Sequence, residues 1–162
     1  MTNETFVHLG VHTDHSLVDG ILRIKQLVSA VADAGMPAVA LTEQSNLYSL
    51  VKFYRAAMDA GIKPIIGADV LLRGESDEDM PTRLSLLCQN QAGYLNLSVL
   101  LSEAYRVGQR DGRPTVSWDQ LRDRADGLIV LAGGVSGAIG QAISSGNLAE
   151  AQAVAELSLI HI

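Results

Sequence analysis

Chemistry-bearing side chains gather at four places in this sequence. The first is His8-Leu9-Gly10-Val11-His12-Thr13-Asp14-His15-Ser16-Leu17-Val18-Asp19-Gly20. Side chains alternate along a strand, so His8, Gly10 and His12 share a face. Two imidazoles two residues apart at a strand end can hold one ion, so a His-x-His pair signals zinc or manganese chemistry. Here position 10 is glycine. The surviving His-x-x-x-His spacing is too long for neighbouring ligands on a strand. The alternative is one packed histidine, two exposed ones and a turn at Asp19-Gly20. The second place is Thr42-Glu43-Gln44-Ser45-Asn46. A carboxylate at a strand end suits a metal ligand or a general base. It equally suits a helix start capped by Ser45 or Asn46, where the dipole favours an acid.

The third place is Asp69, an acid within an apolar run over residues 63–72. An unpaired buried acid is costly, so it requires a partner or a metal. The fourth is Gly133-Gly134-Val135-Ser136-Gly137-Ala138-Ile139-Gly140. Glycines let backbone N–H groups approach a phosphate at a helix start, which would make this a nucleotide-binding module. The Gly-x-x-Gly-x-x-Gly spacing is not the dinucleotide pattern, and no acid follows a subsequent strand. The competing reading is a tightly packed strand-to-helix turn.

The elements that must position these residues alternate. Strand-like runs are predicted at residues 6–11, 37–41, 63–72, 83–88 and 127–132. Between them, Ile24, Leu27, Val28, Val31 and Ala32 recur at helical spacing, closed by Gly35. A second helix is predicted over 46–60, with Gly61 beyond it. A third spans 93–107, with Tyr94, Leu97, Leu100, Leu101 and Ala104 on one face. Trp118 and Leu121 suggest a short helix. Residues 73–81 and 108–114 read as polar loops. Strand-then-helix alternation predicts parallel strands with helices packed outside, as a barrel or an open doubly wound sheet. Functional groups then sit at the C-terminal ends of strands.

The 162 residues suit one domain, and 48% hydrophobic content is enough for a core. The formal charge of −6 argues against a surface that grips nucleic-acid phosphates. The single cysteine, Cys88, excludes an internal disulfide framework and a cysteine-based zinc site, and it reads as a small buried hydrophobe. With no secretory signal and no apolar run of membrane-spanning length, a soluble cytoplasmic protein is expected. The helical pattern from Asn147 runs into Leu157-Ser158-Leu159-Ile160-His161-Ile162 without a glycine cap or basic last turn. That hexapeptide matches a translation of the mosaic-end adapter of sequencing libraries. Residues 157–162 are therefore expected to be a non-native tail, and 1–156 the fold-bearing part.

Several stretches together resemble one family. They are the 6–20 run, Ser45-Asn46-Leu47-Tyr48-Ser49-Leu50-Val51-Lys52-Phe53-Tyr54, Gly61-Ile62-Lys63-Pro64-Ile65-Ile66-Gly67-Ala68-Asp69, Gly93-Tyr94-Leu95-Asn96-Leu97 and residues 127–134. In order and spacing they resemble the N-terminal PHP (polymerase and histidinol phosphatase) domain of bacterial DNA polymerase III alpha subunits. The resemblance implies an α/β fold, a distorted TIM-like (β/α)7 barrel, here truncated before its last strands. Intact members hold up to three metal ions and hydrolyse phosphate esters. By the resemblance, His12 and Asp19 match first-motif metal ligands, Glu43 stands where aspartate is usual, and Asp69 where glutamate is usual. Gly10, Gln44 and Arg83 stand where the intact pattern has histidine. Glycine has no donor, glutamine is a weak neutral one, and an arginine places a cation where the metal would sit.

The resemblance therefore implies a vestigial metal site of His12, Asp19, Glu43 and Asp69, with Arg83 as counter-charge, and no catalytic or cofactor-binding residue in this chain. It implies a scaffold that docks the proofreading exonuclease and other replicase subunits. Primer-template DNA and the Mg²⁺ of nucleotidyl transfer then belong to later domains of the polymerase. The alternative is a metal-dependent PHP phosphoesterase or 3′-5′ exonuclease.

Overall fold

The computed structural model describes residues 6–74 and 80–159, with side chains of the last helix described up to Glu156. The chain divides into two compact units, residues 1–68 and 69–162. The expected adapter-derived tail lies outside the described residues at 160–162, and outside the described side chains at 157–159.

The first unit contains a 3₁₀ turn at Asp14–Ser16, helix α1 (Ile24–Asp33), strand β1 (Ala38–Gln44), helix α2 (Leu50–Asp59) and the opening of strand β2 (Lys63–Leu72). β1 pairs with β2. In α1, Ile24, Leu27, Val28 and Val31 fall on one stripe and are all buried. They meet Val39 and Leu41 of β1, Phe53 and Ala57 of α2, and Ile62. Both predicted helix-ending glycines lie at positive φ, Gly35 at 67° and Gly61 at 70°. The following amides reach back to close each helix, Met36 N–H to the Val31 carbonyl and Ile62 N–H to that of Ala57.

β1 is covered on both faces, as the strand run predicts. Residues 6–11 do not form the expected full strand. They make one parallel bridge, His8 with Val39. The Ala40 amide donates to the His8 carbonyl (2.8 Å) and the Thr42 amide to that of Val11 (3.0 Å). Gly10 lies within this segment, and a glycine brings the largest backbone entropy loss and no side chain to pack. α2 also starts later than expected, at Leu50 rather than residue 46.

The second unit carries the sheet order β4-β5-β2-β3-β6, with β3 at Thr82–Cys88, β4 at Gln109–Arg110, β5 at Arg113–Val116 and β6 at Leu128–Ala132. Helix α3 (Gln91–Val107) buries Leu97, Leu100, Leu101 and Ala104 of the predicted face, while Tyr94, also expected on it, is half-buried. Short helix α4 (Trp118–Asp123) opens on a capping box between Ser117 and Gln120. Helices α5 (Ala138–Ser144) and α6 (Leu148–Leu159) follow.

Two expectations are corrected here. Residues 108–114 hold an antiparallel hairpin, β4 with β5, turning at Asp111-Gly112. The Asp-Gly pair is itself a hairpin signal. The strands are also not all parallel: β2 runs parallel to β5, but β3 runs antiparallel to β6 from Leu84↔Ala132 to Cys88↔Leu128. Parallel neighbours need a long crossover, and the sequence between β2 and β3 is a polar, proline-ended stretch without helical spacing. Among the described residues no helix is long and apolar enough to cross a membrane.

Cys88 ends β3 half-buried, and burial pushes its thiol up from the ordinary 9.0 to about 11. The folded state holds this proton more tightly than the unfolded chain. The stability it contributes is therefore whole below pH 9.0 and is lost as pH rises toward 11. Alkylation by iodoacetamide at pH 8 should be about a hundredfold slower in the folded chain than in urea, following the thiolate fraction. Equal rates would refute the burial effect.

Candidate functional site

β1 delivers Glu43 into the interior of the first unit at 1% exposure. Its flank is apolar, a small pocket lined by Leu41, Leu50, Phe53 and Ile66. A carboxylate taken from water in this way needs donors. Three reach it from two directions. The Thr13 amide donates to Oε2 at 3.0 Å. The Thr13 hydroxyl donates to Oε1 in a short bond. The Ser49 hydroxyl donates to Oε1 at 2.9 Å. Thr13 is itself fully buried, and its Oγ1 accepts the His15 amide at 3.3 Å, closing the 3₁₀ turn.

This geometry explains the late start of α2. Ser49 occupies the N-cap position but caps nothing, because its hydroxyl is spent on Glu43. The expected caps act elsewhere. Ser45 is buried at φ 54°, and Asn46 accepts the Tyr48 amide (3.1 Å) while its amide group donates to the carbonyls of His15 (3.2 Å) and Gln44 (3.0 Å).

His12 and Asp19 form a second group in the same unit. His12 Nδ1 lies 2.7 Å from Asp19 Oδ1, which also accepts the Ser16 hydroxyl at 2.8 Å. Ser16 Oγ in turn accepts the Gln44 amide at 3.1 Å, tying the turn to the end of β1. His8 is outside this group. It is exposed and stacks edge-on against Phe6 with ring centroids 4.8 Å apart. His15 faces Asp14 at 2.8 Å.

In the second unit Asp69 is buried to 5% exposure. Its Oδ1 accepts the Ser85 hydroxyl at 2.6 Å, and its Oδ2 lies 3.6 Å from Arg83 Nη1. The partner that a buried acid requires is thus a neighbouring strand's hydroxyl and guanidinium. The glycine stretch serves packing. A Cβ at Gly133 would sit 2.0 Å from the Arg83 carbonyl oxygen, and one at Gly140 would sit 2.1 Å from that of Gly134. Helix α5 beyond it has only seven residues.

The sequence matches the PHP domain family over residues 8–161. The chain belongs to that family. Among curated relatives it is 50% identical over 150 residues to the DNA polymerase III subunit alpha of Pseudomonas aeruginosa, covering 93% of this chain and 13% of the relative. It is 45% identical over 161 residues to the subunit of the same name from Vibrio cholerae, covering 99% of this chain and 14% of the relative. Against that of Escherichia coli strain K12 the identity is 44% over 149 residues, 92% of this chain and 13% of the relative. The chain thus spans about one-eighth of the length of these relatives. An amidohydrolase from Chromobacterium violaceum shares the fold, with a TM-score of 0.50 at 20% identity over 62% of this chain and 33% of that one.

PHP membership raises the question of a metal, and the donors present do not fit one. Both oxygens of Glu43 and both of Asp69 already face protein donors. Among the described residues no group of three or more His, Cys, Asp and Glu side chains gathers as an ion would require. Thr13 and Ser49, which satisfy Glu43, carried no signal in the sequence, because hydroxyl residues at turns and helix starts read as local caps, and Ser85, which satisfies Asp69, is a lone polar residue among the leucines of a strand.

Beside Glu43 on β1, the buried Thr42 hydroxyl has no hydrogen-bond partner among the described residues. It lies 3.8 Å from where a Cβ on Gly10 would be. A buried hydroxyl without a partner costs stability that an isosteric methyl does not. Thr42→Val should raise the unfolding free energy by about 1 kcal/mol in urea denaturation. A loss of similar size would show that the hydroxyl has a partner.

Proposed function

We propose that this chain is the PHP segment of a bacterial replicative DNA polymerase alpha subunit and works there as a scaffold in the cytoplasm. His12, Asp19, Glu43 and Asp69 are, in this reading, the remnant of a decayed metal site. Nucleotidyl transfer, with its Mg²⁺ and primer-template DNA, belongs to the other seven-eighths of the polymerase. The contribution of this segment is a surface for the proofreading exonuclease and other replicase subunits. The observation that supports a scaffold over a hydrolase is the state of the acids. Glu43 already accepts two hydroxyls on Oε1 and an amide on Oε2, so most of its lone pairs are spent on Thr13 and Ser49 and not offered to an ion that would generate a metal-bound hydroxide.

Two measurements on the purified chain test this. Hydrolysis of p-nitrophenyl phosphate and of a single-stranded 3′ end, with Mn²⁺ or Zn²⁺ added, should stay at the no-protein background. The polymerase's proofreading exonuclease subunit should co-elute with the chain in size-exclusion chromatography. Metal-dependent hydrolysis that disappears in His12→Ala would instead establish a phosphoesterase.

A further inference from the structure

The donors around Glu43 come from two segments that no continuous secondary structure joins. Thr13 opens the 3₁₀ turn and Ser49 precedes α2, while Glu43 itself lies in β1. The turn has other ties to β1, the Gln44 amide on Ser16 Oγ at 3.1 Å and the Asn46 side chain on the His15 carbonyl at 3.2 Å. It also closes on itself. The Asp14 amide donates to the Leu22 carbonyl (2.9 Å), and Gly20 packs so near Thr13 that a Cβ there would sit 1.8 Å from the Thr13 carbonyl oxygen. This turn carries strongly exposed apolar side chains: Leu17 and Val18 at 75% and Ile21 at 97%. Hydrophobic burial of those side chains therefore does not hold it down. Polar bonds must.

We infer that Glu43, held by Thr13 and Ser49, is the pin that fastens the 12–20 turn and the head of α2 to β1 without a divalent ion. The inference rests on the decayed-site reading above and gives the surviving acid a present task. Three bonds on one buried carboxylate tie three segments at a point, which is the mechanical role a bridging cation has in a metal cluster. The charge on the carboxylate strengthens each bond relative to neutral pairs. A neutral glutamine would turn an amide N–H₂ or a single carbonyl toward three donors and leave at least one donor facing another.

The test is thermal unfolding and amide exchange of the full chain, with and without EDTA or added Zn²⁺. For the wild type, EDTA and Zn²⁺ should leave Tm unchanged. Glu43→Gln should lower Tm by roughly 5 °C or more. It should also speed exchange of the Thr13 and Gln44 amides at least tenfold while the Ala40 amide, bonded to His8, stays protected. If Glu43→Gln does not fold, Ser49→Ala reads the same effect at smaller size, and Thr13→Ser, which keeps the hydroxyl but removes a buried methyl, should keep the Gln44 amide as protected as in the wild type. A Glu43→Gln or Ser49→Ala chain with unchanged Tm and exchange overturns the pin and leaves the decayed-site reading standing. A wild-type Tm that falls in EDTA overturns the decayed-site reading and the pin with it.

Discussion

A buried carboxylate is an obligation that the surrounding chain has to meet. Glu43 sits at 1% exposure against Leu41, Phe53 and Ile66, where an unsatisfied charge would cost several kcal/mol. Much of the first unit follows from meeting that obligation. Thr13 is fully buried because its amide and hydroxyl both point at Glu43. Ser49 gives up helix capping for the same reason, and α2 loses its first turn. The turn between Thr13 and Gly20 then has a fixed origin, which sets where Ser16 meets Asp19 and where Asp19 meets His12.

The second unit solves the same problem with different chemistry. Asp69 takes a hydroxyl from Ser85 and the guanidinium of Arg83, both on β3. At 3.6 Å the ion pair is loose, and Arg83 is partly exposed. The hydroxyl at 2.6 Å is the closer satisfaction of the two. Arg83 is further constrained from behind, since its carbonyl packs against Gly133 at the end of β6. A residue in register on the central sheet is a fixed support, so the charge beside Asp69 is placed by strand pairing and not by a flexible loop.

What the sequence made legible was whatever local periodicity and punctuation encode. The α1 stripe of Ile24, Leu27, Val28 and Val31 followed from 3.6-residue spacing, though Ala32, also expected on it, is exposed, and its end followed from Gly35. The limits of β2 and β3 followed from apolar runs bounded by polar ones. Strand direction was less legible, because alternation of strand and helix predicts parallel pairing only where a crossover helix intervenes. The stretch before β3 has none, and β3 runs against β6. The Asp111-Gly112 turn carried a local signal that a reading of 108–114 as plain loop passed over. The partners of Glu43 were illegible for a different reason. Thr13 is 30 residues away and Ser49 only six, and neither spacing is diagnostic of anything. Tertiary hydrogen bonds to a buried acid leave no periodic trace.

The polar geometry also separates two things that a metal cluster does at once. A bridging ion cross-links segments, and it acts as a Lewis acid that lowers the pKa of bound water. Hydroxyl and amide donors supply the first and not the second. The His12–Asp19 pair points the same way. A carboxylate on one ring nitrogen is how ligating histidines are oriented in metal sites, and Asp19 holds His12 in that manner. The orienting device is present, while Glu43, the acid that β1 supplies to the same unit, is turned inward to Thr13 and Ser49. A site with its cross-links kept and its Lewis acid gone has the properties of a rigid mount. In the proposed reading that is the physical content of a scaffold role, and the acid at position 43 is kept by its partners: removing it would strand Thr13 and Ser49, which donate to it.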